Sequence, residues 1–163
     1  PGMRLHQVLV NAIEREGGRV YDGMQVESAR LYGNHIDSIS SAAAARLKNH
    51  RAKEYILATG GILGGGFLAE YSGEIREAVF NLPIQSPGTR LEWFERQFLS
   101  PLGHPVFHSG IRANPELQPV DEDGKVIFEN LRLAGSALDG FEAIRERSLE
   151  GVALVTGYTA GRR

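Results

Sequence analysis

The 163-residue chain contains no cysteine, which excludes a disulfide scaffold, a Cys-ligated zinc site and a thiol nucleophile together. It also lacks a charge excess: 18 Lys and Arg stand against 20 Asp and Glu, a formal net charge of −2. No field of one sign draws nucleic acid or an anionic membrane, so neither is expected as a partner. No run approaches the roughly 18 consecutive apolar residues of a spanning helix, and no basic start leads into an apolar run with a small-residue cleavage site. Direct membrane insertion is not expected, and a cytoplasmic location is. The chain opens Pro1-Gly2-Met3 and is expected to be a piece excised from a longer protein. At 42% hydrophobic it can build a core without staples. What it has in surplus is glycine, 20 residues, about 12% against a usual level of about 7%.

The apolar residues Leu5, Val8, Leu9, Ala12 and Ile13 recur at helical spacing and predict an amphipathic helix stopped by Gly17-Gly18. Val20, Met24 and Val26 then alternate with polar neighbours, as in a half-buried strand. Gly33-Asn34 separates Ala29–Tyr32 from His35–Ile39 by two residues and predicts a hairpin. The alanines at 42–45 favour helix locally. Tyr55–Ala58 is a short apolar run closed by Thr59-Gly60-Gly61, the profile of a strand buried on both faces in a parallel sheet.

Further strands are expected at Ala78–Leu82, around Val106-Phe107 and Ile111, at Val126–Phe128 and at Leu131–Ala134. A helix capped by Ser86-Pro87 would carry Leu91, Phe94 and Phe98 on its apolar face and end at Pro101. Asp121–Gly124 reads as a turn, and Leu149, Val152, Ala153, Val155 and Thr156 as a closing helix after Ser148. Helices and strands of two kinds alternate, so the class is α/β or mixed α+β.

The usual catalytic inventories are thin. Pro105 separates His104 from His108 and breaks the helical face that would make them joint ligands. No metal site is expected. His104, His108 and Arg112 form the one cluster worth examining for anion contact. Asp121, Asp123 and Gly124 lack the bidentate Glu of a calcium loop, and no serine sits in a G-x-S-x-G elbow. Gly64–Ala69 formally matches the dinucleotide fingerprint G-x-G-x-x-(G/A), but it starts six residues past Ala58 and no carboxylate stands about 20 residues on. Two strand ends finish in small residues, Ala58-Thr59-Gly60-Gly61 and Ala134-Gly135-Ser136. Backbone approaches a ligand closely where no Cβ intervenes, and ligands of open α/β sheets lie beyond the carboxyl ends of strands. The helix starting near Gly151-Val152 could aim free amides at the same ligand.

These residues carry a resemblance. The Ala-Thr-Gly-Gly turn at 58–61, Leu131 to Ser136 and the Gly-Val-Ala-Leu of the last helix are similar to flavoproteins of the fumarate reductase and glutathione reductase type. Pro1–Leu5, Leu63–Gly66, Arg90-Leu91-Glu92-Trp93, Phe128–Leu131 and Gly135–Phe141 resemble, more closely, the B subunits of anaerobic glycerol-3-phosphate dehydrogenases. The resemblance implies a C-terminal portion of a Rossmann-like flavoprotein domain with a β-meander and a mixed cap-like region, without its N-terminal βαβ unit. Residues 1–61 and 126–163 would belong to the flavin-binding domain, and 62–125 to an inserted cap or substrate-side region of the same 163-residue fragment.

The resemblance also implies an FMN cofactor, with FAD the alternative, and oxidation of glycerol 3-phosphate with electrons passed toward membrane quinone. Partner subunits would hold the protein peripherally at the inner face of the membrane. By the same resemblance Val26 lies near the nucleotide end of the cofactor and Ala58, Thr59, Gly60 and Gly61 near its ribose or phosphate. Gly135 and Ser136 lie near the ribityl and phosphate, and Gly151 and Val152 near the isoalloxazine. Catalytic residues are not indicated. Two departures stand out: Glu150 precedes Gly151 where the family has glycine, and no G-x-G-x-x-G phosphate cradle precedes Pro1. The isolated fragment is therefore expected to be inactive and to hold flavin weakly or not at all. The competing readings are a subunit-interaction module using the glycine loop and Trp93, Phe94 and Phe98, and an NAD-binding domain using Gly64–Ala69.

Overall fold

The computed structural model describes residues 2–43 and 46–162. The first element, α1 (Gly2–Arg15), ends as the sequence predicts. Gly17 takes φ +82, its amide donates to Glu14 O at 3.0 Å, and the Gly18 amide donates to Ile13 O at 2.9 Å. Together these bonds satisfy the last carbonyls in a Schellman closure. The helix buries none of its residues, so its apolar stripe lies open.

The strand expected from Val20 starts only at Val26. Strands β1 (Val26–Tyr32), β2 (His35–Ala43) and β3 (Arg46–His50) form an antiparallel sheet in that order. The β1–β2 pairing runs to Tyr32 opposite His35, leaving the two-residue turn at Gly33-Asn34 that the dipeptide predicts. Ala42 and Ala43 are in β2, paired with Leu47 and Arg46, and are not helical. Alanine's helix preference is worth tenths of a kcal/mol, and the ladder with β3 outweighs it. Ala44 and Ala45 lie outside the described residues.

Strand β4 (Tyr55–Leu57) pairs parallel with β7 (Leu131–Leu133), Tyr55 opposite Leu131 and Leu57 opposite Leu133. All three residues of β7 are buried, whereas Ile56 is 47% exposed. The burial on both faces expected of Tyr55–Ala58 therefore fails for β4, which forms an edge with one free face, and is found instead in its partner β7. A short hairpin, β5 (Phe67–Ala69) with β6 (Ile75–Glu77), packs Phe67 and Ile75 into the same core as Ile36, Leu57, Leu131 and Leu133.

Several predicted elements give way to local bonds, and Val126–Phe128 forms no strand but only an isolated antiparallel bridge from Val126 to Val120. Ala78–Leu82 is not a strand: the buried Glu77 carboxylate accepts the Val79 and Phe80 amides at 2.8 and 2.6 Å, and Asn81 turns the chain at φ +54. The helix expected from Pro87 to Pro101 is reduced to a 3₁₀ turn at Arg90–Glu92. His104 and Val106 bond the backbone of 93–98 from outside, which competes with an internal helical ladder. Val106-Phe107 lies in a 3₁₀ turn, Pro105–His108, because Pro105 presets the turn and offers no amide to a sheet. Ile111 makes only an isolated parallel bridge to Leu138.

The acidic turn forms as predicted, with Asp121 Oδ1 accepting the Asp123 and Lys125 amides. The chain closes with α2 (Ala143–Glu146) and α3 (Leu149–Gly161). Asn130 joins the two main sheets: its Oδ1 accepts the Ile36 amide and its Nδ2 donates to Ile36 O, both at 2.9 Å.

Candidate functional site

The parallel pair β4–β7 directs both of its carboxyl ends to one side, and a cavity of about 490 Å³ opens there, within the size range of small-molecule sites. One wall is the loop Gly61–Gly64, another is Val106, Phe107 and Ser109, and the third is Leu138, Phe141, Glu142 and Ile144 with Arg147, Leu149 and Glu150, which lead into α3. The lining is mostly apolar, with Ser109, Ser136, Glu142, Arg147 and Glu150 at its polar points.

The glycine loop is tightly folded upon itself. The Gly64 and Gly66 amides both donate to Gly61 O at 3.2 Å, and a Cβ on Gly66 would stand 1.8 Å from Gly60 O. The Gly61 amide donates to Ser136 Oγ at 3.1 Å, and a Cβ on Gly61 would meet Ser136 O at 2.6 Å. The missing side chains therefore serve backbone-on-backbone packing between the two strand ends. Ser136 accepts from Gly61 and keeps its own hydroxyl hydrogen to donate into the cavity.

Gly64–Ala69 does not form a dinucleotide fingerprint. Its Gly64 and Gly66 amides donate to Gly61 O, and Phe67–Ala69 is strand β5, whereas the fingerprint needs free amides opening a helix. That reading is set aside.

Gly135 leads from β7 toward α3. Its amide donates to Thr156 Oγ1 at 2.9 Å, and Thr156 Oγ1 donates to Val152 O at 2.6 Å, which fixes the start of α3 against the strand end. Ser148 occupies the cap position but makes no cap bond, since its hydroxyl donates to Glu146. The amides of the first turn of α3 thus keep their partial positive charge. No neighbour lies within 4 Å of a Cβ built on Gly151.

Of the residues singled out by sequence, Gly61 and Ser136 line the cavity, and Gly135, Gly151 and Val152 adjoin it through α3. Gly60 packs behind the loop wall. Val26, Ala58 and Thr59 do not line the cavity. Val26 stands in the separate antiparallel sheet, opposite Ser41.

Sequence reasoning missed Phe107, Phe141 and Arg147. Phe107 and Phe141 carry no spacing signal, because loop geometry alone brings them to the site. Arg147 ends α2 at φ +53, in the left-handed region that non-glycine residues seldom occupy. Glu142, also at the cavity, is 1% exposed and accepts the Ile144 and Arg145 amides, so its carboxylate caps α2.

The expected histidine and arginine cluster does not act as a unit. The Glu95 amide donates to His104 Nδ1 at 3.1 Å, so Nε2 carries the proton and donates to Phe98 O at 3.0 Å. Both ring nitrogens are thereby committed to backbone. His108 is exposed and Arg112 is half-buried. Among the described residues no group of three or more His, Asp or Glu is placed to hold a metal, and no helix is long and apolar enough to cross a membrane.

Over residues 1–152 the sequence matches the FAD binding domain family. The chain belongs to that family. It is 34% identical over 162 residues to the probable B subunit of the anaerobic glycerol-3-phosphate dehydrogenase of Halobacterium salinarum, covering 99% of this chain and 37% of the relative. It is 32% identical over 170 residues to the B subunit of the anaerobic glycerol-3-phosphate dehydrogenase of Aliivibrio fischeri, with 98% and 36% covered. The chain thus spans little more than a third of the length of these curated relatives. No solved structure matches it significantly.

The family's cofactor can be set against this site in two parts. An apolar slot bounded by close-packed backbone, an uncommitted hydroxyl and a helix start suits a flat ring with polar edges. The phosphate end finds a poorer fit: the Gly64 and Gly66 amides of the loop are bonded to Gly61 O, and Arg147 is the one cation lining the cavity among the described residues. The site fits the ring better than the pyrophosphate.

Proposed function

We propose that this chain is part of the flavin-binding subunit of an anaerobic glycerol-3-phosphate dehydrogenase and that its cavity houses the ring end of the flavin, FMN or FAD. The observation that carries the reading is the convergence of the Gly61 strand end, Ser136 and the first turn of α3 on one mostly apolar cavity. When bound, the flavin supplies a two-electron acceptor for the alcohol carbon of glycerol 3-phosphate. In this reading the whole enzyme passes the electrons toward quinone through partner subunits at the membrane face.

This chain's own residues have narrower tasks. The Gly61–Gly64 wall and Phe107 exclude water from one side of the slot. Ser136 donates a hydrogen bond from the other. The α3 amides at 149–151 favour negative charge developing nearby, Arg147 adds to that field, and Glu150 opposes it. Residues 1–61 and 126–163 form the flavin side and 62–125 the substrate side. Gly60, Ala58, Thr59 and Val26 serve the nucleotide portion only together with the remaining two-thirds of the relatives' length. The open faces of α1 and α3 support this division. Helix α3 is apolar almost all round yet buries only Ala160, and helices of that composition are normally enclosed.

Fluorescence titration of the full-length subunit and of this chain with riboflavin, FMN and FAD tests the proposal. The full-length subunit is expected to bind FMN or FAD stoichiometrically. This chain is expected to bind all three weakly and within about tenfold of one another, a spread of about 1.4 kcal/mol. Failure of the full-length subunit to bind any flavin sinks the assignment. Much tighter binding of FAD than of riboflavin by the chain alone sinks the division between ring and phosphate.

A further inference from the structure

Among the described residues two buried side-chain polar atoms lack a hydrogen-bond partner within the chain, Trp93 Nε1 and Ser109 Oγ. Native proteins keep few such atoms, and each calls for a cause. Trp93 does not line the cavity described above, whereas Ser109 does. Ser109 is 7% exposed, so solvent does little to satisfy its hydroxyl. The residue stands on firmly held backbone. Its amide donates to Val106 O at 3.2 Å, and Gly110 exchanges two hydrogen bonds with Gln85. The Ile111 amide donates to Ala137 O at 2.9 Å, and Ile111 O accepts from the Asp139 amide at 3.1 Å. A Cβ on Gly110 would stand 2.3 Å from Asp139 N, so the two stretches pack backbone on backbone.

That packing brings two serines to one cavity. Ile111 bridges Leu138 in parallel, and Ser109 and Ser136 each stand two residues ahead of that bridge, both lining the cavity. Ser136 Oγ already accepts the Gly61 amide, which leaves it one hydrogen to donate, whereas Ser109 Oγ has its donor and acceptor roles both free. Rotation about χ1 alone moves a serine hydroxyl among its staggered positions. Ser109 also borders a neighbouring cavity of about 390 Å³, but of the two cavities Ser136 lines only the first. Two hydroxyl hydrogens offered to one apolar slot suit acceptors spaced along the edge of a flat ring, and the pyrimidine end of a flavin carries carbonyl oxygens and ring nitrogens there. A phosphate would call for cations, of which Arg147 is the one at the cavity among the described residues. We propose that Ser109 is a flavin-binding residue whose hydroxyl, beside that of Ser136, donates to the polar edge of the ring. The proposal rests on the flavin reading above and adds to it a cofactor contact from the 62–125 segment.

Three measurements on the full-length subunit and its Ser109→Ala variant, in this chain's numbering, test the proposal. Without flavin the variant should melt at the parent's temperature or slightly above it, because a buried hydroxyl with no partner costs stability. The Kd for riboflavin and the Kd for FMN should each rise about tenfold, the worth of one hydrogen bond, and by the same factor because the contact is to the ring. Infrared spectra of bound FMN should show the ring carbonyl bands at higher frequency in the variant, a shift that lost packing alone does not produce. A variant that melts below the parent has lost an internal partner of Ser109 and overturns the proposal. So does unchanged riboflavin affinity with unshifted carbonyl bands, including the case in which only the KM for glycerol 3-phosphate rises and the hydroxyl serves the substrate instead. A parent subunit that binds no flavin defeats the flavin reading and this proposal together, whereas a variant that binds flavin as tightly as a flavin-binding parent defeats this proposal alone.

Discussion

Replacing Gly66 with alanine tests whether the glycine loop is closed on itself or open to a ligand. The added methyl would stand 1.8 Å from Gly60 O, 2.7 Å from Thr59 Oγ1 and 2.8 Å from Gly60 C. The obstacle is mainly backbone, which cannot swing aside as a flexible side chain can. Relief requires a shift of more than an ångström, and it disturbs the bonds from the Gly66 amide to Gly61 O and from the Ala78 amide to Gly66 O. Overpacking of this kind costs about 3 kcal/mol, and the stiffer unfolded chain returns about 0.4–1 kcal/mol, leaving a net loss of about 2–3 kcal/mol.

Gly65 is the control. It has φ +81 and nothing within 4 Å of its Cβ position, so Gly65→Ala costs only the left-handed backbone penalty, about 1 kcal/mol. Gly151→Ala should go the other way, because Gly151 is helical with open space around its Cβ position, and alanine is favoured there by about 0.5–1 kcal/mol. For a chain of this size 1 kcal/mol moves the melting temperature by about 2–4 °C. The expected order in thermal or urea unfolding is therefore G66A lowest by several degrees, G65A slightly below the parent, and G151A slightly above it. If G66A melts with G65A, the loop is not packed as described and its amides are available to a phosphate, which would reverse the fit argued above.

Asn130→Ala should cost about 3 kcal/mol, because it strips the buried Ile36 amide and carbonyl of their partners together; a urea midpoint within experimental error of the parent would discount Asn130 as the link between the sheets. Arg132, with 4% of its side chain exposed, is paired with Glu54, which is 51% exposed. Glu54→Ala should leave a buried guanidinium uncompensated at a cost of about 3 kcal/mol, and adding Arg132→Met should recover part of it, with additive single effects in a double-mutant cycle as the contrary result. The exposed Tyr21 hydroxyl is held below its usual value of 10.0 by hydrogen bonding to Arg19 and then Lys48. Its folded pKa is depressed, so its contribution to stability is present above the unfolded value and lost as pH falls through the folded one. Absorbance at alkaline pH should show one tyrosine ionising early and returning toward its usual value in Arg19→Gln; an unchanged titration in that variant would remove Arg19 as the cause.

Among these elements, those legible in the sequence are the ones whose specification is local. Helix α1 and its Schellman end follow from apolar spacing and Gly17-Gly18. The β1–β2 hairpin follows from a dipeptide suited to left-handed backbone. Strand β7, helix α3 and the acidic turn at Asp121 were equally plain, since each carries its period or its hydrogen-bonding side chain within a few residues. Family membership was legible for a related reason: the motifs that carry it are short and contiguous in the sequence.

The tertiary structure decided what depended on distant partners. Ala42 and Ala43 became strand because β3 pairs with them. The segment from Pro87 to Pro101 lost its helix because His104 and Val106 bond its backbone from further along the chain. At the site, sequence alone could mark Gly60, Gly61, Gly64 and Gly66 as small, but not say what approaches them. Close packing of one loop against another strand end gives that space to Gly60 O and Ser136 O, and leaves the open slot among Ser136, Phe107 and α3. Glycine surplus, absent cysteine and balanced charge were properties of the sequence by itself. Which glycines face a ligand and which face their own backbone is a matter of distances of one or two ångströms, which only the folded chain sets.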